Sequence, residues 1–313
     1  MTRGADARRM ADAPLLLADG GLETWLVYHE GVELPHFAAF DLLRRPAGRA
    51  ILERYYRAFA ELGAREGVGV ILETATWRAS ADWGARLGYD AGQLEALHHE
   101  LVDLLSRVRA SFEPGPAPIL VAGCMGPRSD AYAPTIRMTV EEAAAYHAAQ
   151  IATFAATPVD LVVASTLGYV EEAVGIALAA VSLPVPLVLS FTVETDGRLP
   201  SGQRVGAAIE QVDEATGGRV AYYMINCAYP SHVARGLEPD APWLPRLRGL
   251  RANASAKSHA ELDAATEVDA GDVDELAAGF AALRTMWPTL TVVGGCCGTD
   301  RRHVERIVRA MRR

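Results

Sequence analysis

The chain has 313 residues, 50% of them hydrophobic and 22% charged, enough for one large core or two domains. Its formal net charge is -9 and its pI about 5.4. No basic tract offsets that balance, which argues against nucleic acid or an anionic membrane surface as the main partner.

Residues 1–12 are polar and Arg-rich and lack the apolar stretch of a signal peptide, so they are expected to form a disordered extension, with Met10 an alternative start. From residue 13 to 313 a single barrel-type domain is expected. Short β-branched runs alternate there with Ala-, Leu- and Glu-rich helical patterns such as 141–155 and 273–286. Eight candidate strands fall at 15–18, 68–73, 119–123, 161–165, 186–192, 221–226, 249–253 and 290–294. Such alternation implies parallel strands joined by crossover helices. Eight units over this length suit a closed (β/α)8 barrel, although periodicity alone also admits an open doubly wound sheet.

Chemically useful groups recur where each strand ends: Asp19-Gly20-Gly21, Glu73-Thr74-Ala75-Thr76, Cys124-Met125-Gly126-Pro127, Ser165-Thr166, Thr192-Val193-Glu194, Asn226-Cys227, Asn253-Ala254-Ser255 and Gly295-Cys296-Cys297. In a barrel all of them would converge on one mouth. No Pro-, Gly- or Ser-rich linker divides the chain. Residues 229–243 read as a polar surface loop near that mouth, and no uncharged apolar run reaches the ~20 residues that span a bilayer.

Four cysteines in this length are no disulfide scaffold, and thiols kept free for chemistry fit a reducing cytoplasm. Cys227 alone would ordinarily be a small buried hydrophobe. Together with Cys296 and Cys297 it suggests a three-thiolate zinc site with an open fourth position, the pattern of a catalytic rather than a structural zinc. Gly294, Gly295 and Gly298 would let the backbone aim two successive cysteines at one ion. Three thiolates make zinc a poor Lewis acid for water but suit it to binding a substrate thiol, whose free pKa is about 8.5, as a nucleophile. A methyl group on positively charged sulfur or nitrogen is then the natural electrophile.

Through Asp19-Gly20-Gly21-Leu22-Glu23-Thr24, Gly123-Cys124-Met125-Gly126-Pro127, Asn226-Cys227 and Gly294-Gly295-Cys296-Cys297-Gly298, the chain resembles the zinc- and homocysteine-dependent S-methyltransferase family over nearly its whole length. The resemblance implies a (β/α)8 barrel, Zn²⁺ on Cys227, Cys296 and Cys297, homocysteine as acceptor and methionine as product. S-methylmethionine or S-adenosylmethionine is the preferred donor, with a quaternary ammonium as the other class. One departure stands out. The family carries a Glu-Thr pair after its fourth strand, whose Glu holds the homocysteine amino group, and here Ser165 occupies that place. Either another carboxylate (Glu73, Asp19 or Glu194) takes the role, or the acceptor is a different thiol.

Other residues carry weaker signals. Asp19 could orient the acceptor or simply cap a turn, and Glu23 is expected to support the first loop. Trp25, Trp77, Trp83 and Tyr132 are candidates to hold a cationic donor by cation–π attraction, Trp77 above the rest. Asn226 and Asn253 could hydrogen-bond thiolates or a substrate carboxylate. Cys124 reads as a spare thiol near the pocket, and Arg128 and Arg251 as candidates to pair a substrate carboxylate that are more ordinarily solvated loop-end arginines. His232, His259 and His303 are expected at the surface. Gly20-Gly21 and Gly217-Gly218 lack a phosphate-loop pattern, so no cofactor but zinc is expected. The partners are thus a small thiol and a methyl donor, and no segment suggests a dimerisation arm. A zinc-storing protein that kept the fold without catalysis is the rival of a different class.

Overall fold

A computed structural model describes residues 15–115 and 117–312 of the chain. The extension expected over residues 1–12 lies outside the described residues. Eight parallel strands close on themselves in sequence order: β1 Leu16–Ala18, β2 Gly69–Glu73, β3 Ile119–Met125, β4 Leu161–Leu167, β5 Leu187–Phe191, β6 Tyr222–Ala228, β7 Leu247–Ala252 and β8 Val292–Gly295. The ring is completed where Leu16 and Leu17 pair with Val292 and Val293. That closure confirms the (β/α)8 barrel and excludes the open doubly wound sheet.

Crossover helices wrap the barrel: α2 Pro46–Glu66, α4 Ala91–Ala110, α5 Val140–Ala156, α6 Val170–Ala180, α7 Val205–Thr216, α8 Pro230–Gly236, α10 Val273–Met286 and the terminal α11 Arg301–Met311. Three short helices, α1 Leu22–Tyr28, α3 Ala81–Arg86 and α9 His259–Asp263, lie in the connections that leave strand C-terminal ends. Local sequence explains where the long ones begin. Asp90 accepts from the Gln93 amide (2.8 Å) while Gln93 accepts from the Asp90 amide (2.9 Å), and Thr139 and Glu142 do the same for α5. On α4, Leu94, Leu97, Leu101, Leu104, Leu105 and Val108 recur at helical spacing and are buried against the barrel.

Inside the barrel a compact set, including Leu16, Ile71, Leu120, Leu161, Val163, Val188, Met224 and Val292, fills the axis. These layers plug the barrel and leave its chemistry to the C-terminal mouth. Among the described residues, no helix is long and apolar enough to cross a membrane.

Several expectations change. Residues 229–243 are not a plain surface loop, because Pro230 starts α8 and Pro230, His232, Val233 and Trp243 are buried. The three histidines expected at the surface are buried as well. His303 is locked in the capping box of α11, its Nδ1 accepting from the Asp300 amide (3.1 Å). His259 is packed against Tyr132, ring centroids 3.7 Å apart.

His98, on α4, packs edge-on to Phe154 of α5, its Nε2 3.0 Å from the Gln150 amide nitrogen. Burial pulls its pKa down from 6.5 to about 4. Between those values the unfolded chain binds a proton that the folded chain refuses. Stability contributed by neutral His98 is therefore complete above pH 6.5 and is lost as pH falls toward about 4. Urea midpoints measured across this window should fall with pH, and the slope should be shallower in His98→Gln.

Candidate active site

The C-terminal ends of the strands surround a cavity of about 680 Å³. Asp19, Glu73, Ser165, Asn226, Trp77, Cys227, Cys296 and Cys297 all line it. So do Cys124, Trp83, Tyr132 and Thr166. Trp25 does not; it packs against Tyr55, ring centroids 5.1 Å apart, among core residues.

The sulfurs of Cys227, Cys296 and Cys297 all lie within 4.8 Å of one another. Cys227 comes from β6, at a register shift between Asn226 and Ala228, and has a left-handed backbone (φ 56°). Such a bulge re-aims a side chain, so two successive residues, Asn226 and Cys227, both face the mouth. Cys296 and Cys297 leave the end of β8, where Gly298 takes φ 78°. Gly294 and Gly295 do not share that conformation, so Gly298 alone of the three turns the chain. Gly21 matters for close approach, since a Cβ there would run into the Cys296 carbonyl.

The Cys227 and Cys296 sulfurs are brought into direct contact, Cα atoms 5.4 Å apart, with Cys297 beside them, while Cys124 stands apart. The cause is the same convergence that makes a ligand set: β6 and β8 aim both sulfurs at one point. Cys124, on β3, stands outside the cluster, and burial followed by the neighbouring Glu73 charge pushes its thiol pKa well up. Burial likewise pushes the Cys297 thiol up to about 12. Three sulfurs on one side of a cavity match the donor preference of a thiophilic ion such as zinc, and only reduced, deprotonated sulfurs would bind it.

Asn226 braces this corner. Its Oδ1 accepts from the Thr166 amide (2.8 Å) and the Ser190 hydroxyl (2.7 Å), and its Nδ2 donates to Thr166 Oγ1 (2.8 Å) and Cys227 Sγ (3.3 Å). Asn253 donates to the Cys227 carbonyl (3.1 Å), so it holds backbone rather than substrate. Thr166 is itself left-handed (φ 65°), at the register shift that brings Ser165 and Thr166 together to the mouth.

Arg251 is not a solvated loop arginine. Its side chain is 12% exposed and lies between two carboxylates, paired with Asp19 and, at 2.6 Å, with Glu73. Its Nε also donates to the Gly295 carbonyl and its Nη2 to the Gly20 carbonyl, both at 3.1 Å. Burial works against that charge, but Glu73 and Asp19 more than offset it and the guanidinium pKa rises. Burial pushes the Asp19 carboxyl up to about 8, with Arg251 pulling it back and Glu73 adding to the rise. Asp19 and Glu73 are thus already committed to a cation, and Glu194 does not line the cavity.

Glu23, expected only to support the first loop, does line it, and burial raises its pKa. Arg78, which nothing in the sequence singled out, lies over the Trp77 and Trp83 rings at 4.2 and 4.0 Å, and Arg86 lies 4.3 Å from Trp83. Two of the four aromatic faces assigned to a cationic donor, Trp77 and Trp83, therefore already carry arginines, and Tyr132 is stacked on His259. Arg128 pairs with Asp82 (2.8 Å) and is outside the cavity lining.

A family model described as homocysteine S-methyltransferase matches residues 16–311. No individual curated protein matched the sequence. Among solved structures, the homocysteine methyltransferase MmuM from Escherichia coli aligns in its metallated form with TM-score 0.74 and 20% identity, covering 96% of this chain and 97% of that one. Its oxidized form gives 0.75 and 20% (96% and 98% covered), and its apo form 0.69 and 19% (96% and 97% covered). At this identity the likeness is one of fold. The family model spans almost the whole chain, and the chain belongs to the homocysteine S-methyltransferase family.

Asn226→Ala would leave the Thr166 amide and Ser190 hydroxyl buried without their acceptor, at a cost of about 1–3 kcal/mol for each stranded group. Thermal unfolding of the metal-free protein should register that loss. Chelator competition should separately report weaker metal retention, because Cys227 Sγ loses its hydrogen bond.

Proposed function

We propose that this family member is a zinc-dependent thiol S-methyltransferase whose metal ligands are Cys227, Cys296 and Cys297. The observation that carries it is the convergence of three cysteine sulfurs in the mouth of the family's barrel. That the homologue MmuM was solved in a metallated form supports a metal in this protein as well. Zinc bound there would hold the acceptor as a thiolate at neutral pH.

The remaining chemistry belongs to the chain and the substrates. The acceptor thiol gives up its proton to solvent on binding, and its sulfur electron pair forms the new S–CH3 bond. The donor's S⁺–CH3 bond breaks as that bond forms, its electron pair staying on the donor sulfur, which leaves as a neutral thioether. A quaternary ammonium donor would leave as a tertiary amine by the same balance. More carboxyl side chains than arginines line the mouth, among them Glu23, Asp130, Asp263 and Glu267, and that surplus favours a cationic donor. Trp77 is proposed as a wall of the donor pocket through its ring edge, since Arg78 covers one face. A mouth that aligns donor and acceptor supplies much of the acceleration by positioning.

Homocysteine, which names the family, is the first acceptor to test, with methionine as product. A second reading, a different thiol, is favoured by Ser165 and by the commitment of Asp19 and Glu73 to Arg251. The non-catalytic zinc-storage reading predicts that an added thiol leaves the metal's coordination unchanged.

Zinc-edge X-ray absorption of the reduced protein should show three sulfurs plus a light atom, and four sulfurs once the acceptor thiol is added. A thiol that binds without altering the shell would count against the proposal. Because Cys227 and Cys296 can pair, oxidised protein should take up little zinc until a thiol reductant supplies the two electrons that open the disulfide. Zinc uptake before and after reduction, read by metal analysis, checks this. Trp77→Ala should raise the donor's KM more than the acceptor's in steady-state kinetics.

A further inference from the structure

Resting on the S-methyltransferase reading, we propose that Arg78 is a specificity-determining residue that holds a carboxylate of the methyl donor. Three arginines line the mouth: Arg78, Arg86 and Arg251. Arg251 is committed, paired with Asp19 and Glu73 and bonded to two backbone carbonyls. Arg86 is exposed, so water screens its charge. Arg78 is the one drawn away from water without an anion. Among the described residues no carboxylate lies within ion-pair distance of it, and its one hydrogen bond, from Nη1 to the Ser129 carbonyl, is long at 3.3 Å. Its Nε is buried without a partner. The two buried arginines respond in opposite directions. The Arg251 pKa rises, whereas burial pulls Arg78 down to about 10 against the more distant attraction of Asp130 and Glu23. A guanidinium so placed is costly until an anion is supplied to it.

Its surroundings hold it in position. The Trp77 and Trp83 rings lie 4.2 and 4.0 Å from the guanidinium carbon, and these cation–π contacts restrain it. Trp77 is itself wedged against the backbone after β3, since a Cβ on Gly126 would fall 2.6 Å from the indole nitrogen. A guanidinium restrained in this way suits a planar carboxylate, which it can engage at two points.

The charges around Arg78 limit which anion can enter. Asp130 and Glu23 line the same cavity, as do Asp263, Glu267 and Asp269. They would repel a doubly charged group such as a phosphate. A zwitterion satisfies both kinds of neighbour, with one carboxylate on Arg78 and its onium centre among the acids. Because Trp77 is the proposed donor wall, the carboxylate that reaches Arg78 is the donor's and not that of the thiol on the metal.

Titration calorimetry of reduced, zinc-loaded protein tests this with S-methylmethionine and glycine betaine, each beside its carboxamide. The amide keeps the size and the onium charge and removes only the carboxylate charge. In the unaltered protein each acid should bind about tenfold or more tighter than its amide. In Arg78→Met that preference should fall to near parity. Arg78→Lys, which keeps the charge but not the planar fork, should fall between, and it carries the test if Arg78→Met does not fold. Homocysteine and its amide should keep their relative affinity in both variants, and zinc content should not change. A donor acid-over-amide preference that survives in the variants would overturn the inference, as would failure of both acids to bind. Loss of the preference for homocysteine in place of the donor would put the acceptor's carboxylate on Arg78 and overturn it too. Steady-state methyl transfer separates the two levels. Arg78→Met should raise the KM of an acid donor about tenfold or more and leave the acceptor's KM unmoved. Binding in the expected order without transfer to any thiol would sink the methyltransferase reading and leave the carboxylate site standing. Transfer with the donor's KM unmoved in Arg78→Met would do the reverse.

Discussion

Closure of β1 onto β8 is the constraint on which the site depends. The two strands are separated by nearly the whole chain, yet Leu16 and Leu17 pair with Val292 and Val293, and the Gly295 amide donates to the Asp19 carbonyl (2.9 Å). The connection continues past the strands, where the Gly298 amide donates to Thr24 Oγ1 (3.1 Å) and the Gly21 amide to the Thr299 carbonyl (3.1 Å). These bonds fix the turn that carries Cys296 and Cys297. Because every strand is parallel, closure also brings all eight C-terminal ends to one rim, so Cys227 from β6 meets the cysteine pair after β8 although β6 and β8 are not paired in the sheet.

Arg251 converts that rim into one electrostatic unit. It leaves β7, touches the Gly295 carbonyl at the end of β8, reaches Asp19 and Gly20 after β1, and pairs with Glu73 on β2. Four consecutive strands are tied by one side chain. Buried ion pairs seldom stabilise a fold beyond an apolar substitute, because desolvation costs several kcal/mol per ion. A cluster of this kind, with two carboxylates on one guanidinium and a raised Asp19 pKa, is better understood as setting the charge of the mouth than as adding stability. It decides which substrate charges the floor will tolerate.

Much of this was legible in the sequence, and the parts that were not share a cause. β-Branched runs alternating with amphipathic stretches located all eight strands within a few residues, and the Gly-Gly-Cys-Cys-Gly and Asn-Cys motifs identified the three sulfurs that cluster at the mouth, because both signals are local. The bond between Arg251, Asp19 and Glu73 is not local. Arg251 sits in a strand with ordinary patterning, and only the radial order of the barrel places it beside residues more than 170 positions away. The same holds for Arg78, whose neighbours Trp77 and Trp83 were visible but whose stacking on them was not. His232, His259 and His303 were assigned to the surface from their loop and helix-start positions, although burial of a histidine depends on what packs over it. Residues 229–243 misled in the same way, since their polar composition hid a proline-started helix.

The register shifts explain why the functional residues come in adjacent pairs. An unbroken strand would turn Ser165 and Thr166, or Asn226 and Cys227, to opposite faces. Left-handed backbone at Thr166 and Cys227 breaks that alternation at a local cost of order 1–3 kcal/mol per residue. Asn226 offsets part of it, because the two distorted positions are precisely the ones its side chain bridges: it accepts from the Thr166 amide, donates to the Thr166 hydroxyl and donates to the Cys227 sulfur. An aspartate of the same size could accept from the amide but would offer no N–H to the sulfur and would set a negative charge against a thiolate. A leucine would meet neither need. The asparagine before the cysteine is therefore required by the backbone geometry that brings the cysteine to the mouth, and the strain it holds is the means by which β6 presents a sulfur where alternation would have presented an amide.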